Sequence, residues 1–111
     1  MDNIKNDTYY VRKMLKDIRF IIDKTEGITK TELSENEVLC DSVLFRLIQI
    51  SESSVKLSDG FKNTCSDIPW QAIKGMRNKI VHEYGDMDLG IVYQTVTEDI
   101  PEICERLTRL I

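Results

Sequence analysis

The residues with the greatest capacity for chemistry fall in one short run, Met76-Arg77-Asn78-Lys79-Ile80-Val81-His82-Glu83-Tyr84. His82 is the only histidine in the chain. Imidazole is the one side chain whose unperturbed pKa lies near neutrality, so it suits proton transfer. Arginine adds a permanent cation whose planar fork matches phosphate oxygens, and asparagine adds a neutral donor and acceptor. Together these groups suit cleavage of RNA by its own 2′-hydroxyl. That reaction needs a base on the 2′-OH, an acid on the leaving 5′-oxygen and a cation on the phosphorane, and it requires no metal. On a helix turning about 100° per residue, Tyr84 lies within about 20° of Arg77, and His82 about 140° round from it. The same spacing also fits a bland alternative, a surface histidine near the charged end of an ordinary helix.

The elements that must position this run are helical. The chain has 111 residues, 41% hydrophobic and 31% charged, which fits one globular domain over residues 1–111. Glycine (5) and proline (2) are scarce, against a turn-rich all-β domain. Four segments carry helical hydrophobic spacing. The first runs from about Asp7 to Glu26, with Val11, Met14, Leu15, Ile18, Ile21 and Ile22 as its stripe, Asp7 or Thr8 as cap and Gly27 as stop. The second runs from about Ser34 to Phe61, opened by a Ser34/Glu37 capping box and fraying at Asp59-Gly60. Its serine-rich later half (Ser51, Ser53, Ser54, Ser58) implies a close helix approach or a polar neighbour.

The third segment runs from about Ile68 to Tyr84, with Asp67 as N-cap, Pro69 in the first turn and Gly85 as stop. The fourth runs from Asp88 to the C-terminus, and Pro101 inside it predicts a kink or break near Glu98–Pro101. Four amphipathic helices with short connections predict an all-α, antiparallel up-and-down bundle whose last helix is kinked or split near Pro101.

The net charge of −4 excludes a uniformly basic nucleic-acid binder, and a single histidine excludes a zinc site built from several. The charge is uneven. Residues 1–30 and 69–84 each carry +2, while 31–68 and 85–111 each carry −4. Cys40, Cys65 and Cys104 form no C-x-x-C pair, and an odd number argues against a disulfide framework, so a reduced cytoplasmic setting is expected. The polar start Met1–Asp7 has no apolar core of a signal peptide, and no apolar run approaches membrane-spanning length.

Arg77-Asn78 followed by His82-Glu83-Tyr84 resembles the R-N-x3-H-x-Y form of the HEPN signature, and more narrowly the R-x4-H-x-Y motif of HepT-like toxins. The likeness extends to Ile68-Pro69-Trp70 through Arg77-Asn78, to Asp86-Met87-Asp88 through Tyr93, to Asp99-Ile100-Pro101, and to Arg46-Leu47-Ile48-Gln49-Ile50-Ser51-Glu52-Ser53. In that last stretch Ser51 and Ser53 stand where the family has small Gly and Ala.

The resemblance implies a HEPN bundle that forms homodimers with the third helices lining a shared cleft, and a metal-independent endoribonuclease acting as a toxin. The implied antitoxin is a minimal nucleotidyltransferase that transfers AMP from ATP to the motif tyrosine, here Tyr84. The chain itself then needs no cofactor. Two protomers would supply two His82 and two Arg77, so a composite site is expected. In it His82 takes the 2′-OH proton, Arg77 grips the phosphate, Asn78 orients Arg77 or a phosphate oxygen, and the second His82 is the acid. Arg46, Glu52, Lys79 and Glu83 are candidate cleft-supporting residues. The rival reading is a non-catalytic helical dimer that only binds a nucleotidyltransferase, favoured by the acidic balance.

Overall fold

A computed structural model describes residues 6–111; the polar start at residues 1–5 lies outside the described residues. Among the described residues the fold is all-α, as expected. Helix α1 spans Asp7–Thr25 and buries Val11, Met14, Leu15, Ile18 and Ile21. Asn6, rather than Asp7 or Thr8, caps it by accepting from the Tyr9 N–H at 3.1 Å. Asp7 is used elsewhere. Its carboxylate accepts from the backbone N–H and hydroxyl of Ser58, at 2.8 and 2.7 Å. Gly27, at φ 76°, takes the left-handed turn that ends the segment.

The second predicted helix is three helices. Helix α2 (Lys30–Glu35) opens on a capping box between Thr29 and Glu32, not Ser34 and Glu37. This earlier start drives Leu33 fully into the core, and Ser34 falls inside α2 with its hydroxyl bonded back to the Lys30 and Thr31 carbonyls. Helix α3 (Glu37–Val55) is capped by Asn36. It stops at Val55 because the chain turns Leu57 inward, and Ser58 caps a new short helix, α4 (Asp59–Thr64). Asp59-Gly60 therefore begins a helix instead of ending one.

Helix α5 (Trp70–Glu83) carries the motif. Its N-cap is Pro69, which has no side chain to cap with; Asp67 instead offers its carbonyl and carboxylate to Arg106. Its end passes into a single 3₁₀ turn, Tyr84–Asp86, so Gly85 lies inside that turn and is not a left-handed stop. The last helix is split near Pro101. Helix α6 (Leu89–Gln94), capped by Asp88, runs into a π-turn at Thr95–Asp99 and then α7 (Ile100–Thr108). The Ile100 N–H reaches five residues back to the Thr95 carbonyl. The wider turn accommodates a proline that has no N–H and would otherwise crowd the preceding turn.

Cross-helix pairs fix the directions. Lys13–Gln49 and Asp17–Arg46 run α1 antiparallel to α3, while Glu52–Arg77 and Asp41–Tyr84 run α3 antiparallel to α5. α6, the π-turn and α7 pack against α1 and α2, so α5 is an outer helix resting mainly on α3. The serines of α3 make that contact close. Ser51, Ser53 and Ser54 are buried, and the Ser51 hydroxyl donates to the Lys74 carbonyl at 3.0 Å. All three cysteines are free, and burial pushes the Cys40 and Cys65 thiols up, away from thiolate reactivity. No helix of the described residues is long and apolar enough to cross a membrane.

A partly buried ion pair crosses the α1–α3 seam. The Asp17 side chain is buried and held by Arg46 Nη1 at 2.8 Å, and Arg46 also lies over the Phe20 ring, 4.0 Å from its centre. Arg46→Leu leaves that buried carboxylate with only the Lys13 ammonium at 3.7 Å and is expected to cost about 3 kcal/mol. Urea unfolding checks this, and an unchanged midpoint contradicts the assignment of Arg46 to folding.

Candidate functional site

Ile73 and Ile80 are the buried residues of α5, with Trp70 and Met76 packed partly against the core, so the rest of its circumference faces outward. Arg77 lies on the flank facing α3. Its Nε donates to Glu52 Oε2 at 2.9 Å, with both side chains about half exposed. This bond fixes the guanidinium plane through one nitrogen and leaves the terminal NH2 groups for a phosphate. Glu52 thus orients Arg77. Asn78 follows on the outward side and lines the same hollow as Arg77, a space of about 580 Å³ between the C-terminal half of α3, the start of α1 and α5.

His82 is exposed, on the outward ridge one turn after Asn78. Helical geometry sets it about 140° round from Arg77. Within one chain, therefore, the cation and the proton-transfer group do not converge. Tyr84 is 54% exposed at the end of α5, and its hydroxyl donates to Asp41 Oδ1 at 2.6 Å. That hydrogen bond first, then desolvation and the negative charges of Asp41 and Glu37, hold the phenol above its ordinary pKa range. Tyr84 is therefore exposed but tethered.

The remaining candidates are dispersed. Arg46 is taken up by Asp17 and does not pair with Glu52. Lys79 lies on the opposite flank of α5, on the rim of a separate apolar groove of about 410 Å³ that also carries Asp99 and Glu102. Glu83 is exposed at the helix end. Two residues at the site escaped the sequence reading. Asp41 had no local signal, because its role depends on a residue 43 positions away. Lys74 had one: it precedes Arg77 by three residues and shares its flank, and it lines the same hollow. Among the described residues, no group of three His, Cys, Asp or Glu side chains is placed to hold a metal ion.

The family model described as "Ribonuclease HepT-like" matches residues 14–110, which include both α3, with Asp41 and Glu52, and the whole of α5. The chain belongs to the HepT-like ribonuclease family. Among its relatives, "Putative RNase TTE0752" of Caldanaerobacter subterraneus subsp. tengcongensis is 28% identical over 108 residues, covering 97% of this chain and 96% of that protein. "Probable ribonuclease HepT" of Thermococcus cleftensis is 33% identical over 101 residues, covering 86% and 91%. No solved structure gives a significant match. This HepT-like chain is thus an endoribonuclease.

Proposed function

We propose that this HepT-like ribonuclease is a toxin that cleaves RNA without a metal at a site completed by a second copy of the chain, and that a partner nucleotidyltransferase silences it by adding AMP to Tyr84. The observation that carries the composite site is the divergence of Arg77 and His82 on α5. One chain offers a single histidine, facing away from its own arginine, whereas the reaction needs an acid, a base and a cation together. Support for the second copy comes from the surface around the motif. Val38 is 79% exposed, Phe45 58% and Val81 51%, all at the end of the α3–α5 pair where Tyr84 meets Asp41. Exposed apolar groups gathered on one face mark an interaction surface. A two-fold axis there brings two copies of α5 together.

In the resulting cleft, His82 of one protomer takes the 2′-OH proton. The 2′-oxygen attacks phosphorus, and the bond to the 5′-oxygen breaks. The second His82 protonates that leaving oxygen, and Arg77, oriented by Glu52, stabilises the phosphorane. The products are a 2′,3′-cyclic phosphate and a free 5′-hydroxyl. Purified protein is expected to yield those ends from RNA in the presence of EDTA. Activity that disappears with EDTA and returns with magnesium contradicts the metal-free reading.

Asp41 gives the modification a proton acceptor. The Tyr84 phenol is fully neutral at physiological pH, so a base must take its proton as the oxygen attacks the α-phosphorus of ATP and pyrophosphate leaves. Asp41 stands within hydrogen-bond reach. Asp41→Asn keeps the contact but not the base, and is expected to slow AMP transfer about a hundred-fold with RNA cleavage retained. Mass spectrometry of Tyr84 over time checks this, and an unchanged rate removes Asp41 from the step. The added AMP places bulk and negative charge on the Arg77 side of α5, where it competes with substrate phosphate.

A further inference from the structure

The two helices with a positive excess, α1 and α5, are not neighbours; α3 lies between them. Both nonetheless contribute to one side of the molecule. The hollow beside Arg77 is lined by Lys13 from α1, Lys56 from the end of α3 and Lys74 from α5. A second hollow, of about 670 Å³, continues along α1 past Arg12 and Lys16. The two share Tyr9 and Lys13, so they form one continuous surface.

With Lys13 counted once, the pair of hollows is lined by seven basic side chains (four in each) and two acidic ones, Glu52 and Asp17. Both carboxylates are already engaged, Glu52 by Arg77 and Asp17 by Arg46 at 2.8 Å and more loosely by Lys13 at 3.7 Å. This concentration occurs in a chain whose net charge is −4. It forms a local positive field on an otherwise acidic protein, which attracts a polyanion to one place and not to the whole surface. Gln49 and Asn78 add amide donors and acceptors, and Tyr9, 42% exposed, adds an aromatic ring at the junction.

We propose that this α5–α3–α1 surface is an extended subsite for single-stranded RNA, in which Lys74, Lys56, Lys13, Arg12 and Lys16 hold the phosphates of nucleotides flanking the one gripped by Arg77. The inference rests on the ribonuclease reading and deepens it. Its span crosses two helix-to-helix distances, about 20 Å, which is several nucleotides of unpaired strand. A basic groove with an aromatic ring and amides tolerates many sequences, so the subsite strengthens binding without dictating a sequence.

The test is a length series of RNA oligonucleotides cleaved by the wild-type protein and by Arg12→Gln/Lys16→Gln. Both side chains are exposed and lie on α1, not on the motif helix α5, so folding and chemistry stay intact. For the wild type, kcat/KM is expected to rise with length. The double variant is expected to lose about ten-fold in kcat/KM on the long RNAs, through KM and not kcat. Its salt dependence is expected to be shallower by about 0.7 in log–log slope per cation removed. The shortest RNA that the enzyme cleaves is expected to be cut equally by both.

Equal kcat/KM and equal salt slopes on long RNA overturn the subsite while leaving the ribonuclease intact. An equal loss on short and long RNA also overturns it, because that reports a general structural defect. If the variant keeps its RNA kinetics but is no longer modified by the nucleotidyltransferase, the surface is a protein-docking face and the proposal fails. Equilibrium binding of a long oligonucleotide to both proteins separates the two readings. Salt-sensitive binding that weakens in the variant, with no cleavage by the wild type, supports the track and removes the ribonuclease mechanism.

Discussion

His82→Ala is expected to lower RNA cleavage by at least about a thousand-fold, since one positioned general acid or base alone contributes about 10²–10⁴-fold, with no loss of stability. Both halves of that expectation come from where the side chain sits. His82 is exposed on the outward ridge of α5, one turn beyond Asn78, and takes no part in the core that Ile73 and Ile80 make with α3. Its removal leaves no cavity and strands no buried partner, so unfolding should shift by no more than about 0.5 kcal/mol. In the proposed dimer both histidines share one cleft, so the variant loses base and acid together. Steady-state cleavage of a labelled RNA, alongside a thermal melt, checks the pair of statements. Retained cleavage with a normal melt assigns proton transfer elsewhere.

The second large effect is on a residue that touches no substrate. Phe45 is 58% exposed on the outer face of α3, close to Val38 and on the same side as Asp41. A phenylalanine so exposed contributes little to the fold of its own chain, and its apolar surface is useful only when something covers it. Phe45→Glu places a like charge opposite itself across the proposed two-fold axis. It is expected to yield monomers by sedimentation, with unfolding of the monomer unchanged. Activity is expected to fall about as far as in His82→Ala, because a monomer holds one histidine facing away from its arginine. Monomers that still cleave RNA at the wild-type rate show that one chain makes a complete site. Dimers that persist show that the two-fold face lies elsewhere.

What was legible in the sequence, and what was not, divides by the range of the interaction. The α1 stripe and the break before Pro101 were legible because each depends on residues within one or two turns. The capping of α2 and α3 was not, because Thr29–Glu32 and Ser34–Glu37 are both valid boxes. The choice between them was made by the burial of Leu33, a tertiary demand. Likewise, periodicity carried α3 past Val55, whereas the fold ends it there to bring Leu57 into the core.

The site shows the same division. Arg77, Asn78, His82 and Tyr84 were visible because one helix carries them all. Arg46 was visible as a nearby cation, but its engagement by Asp17, 29 residues away, was not. Lys79 lies two residues from Arg77, yet the helix turns it to the other flank, where it borders the apolar groove. Asp41 and the basic line from Lys74 to Lys16 needed three helices to be assembled before they meant anything.

In the proposed site the catalytic groups come from two chains, and subunit complementation tests this most directly. His82→Ala protein and Arg77→Ala protein are mixed under conditions in which exchange into heterodimers is verified by native mass spectrometry. One composite position in such a heterodimer combines an intact Arg77 from one protomer with an intact His82 from the other. Cleavage clearly above that of either parent homodimer is expected, short of the wild type because only one histidine is present. Verified heterodimers no more active than their parents contradict the composite site.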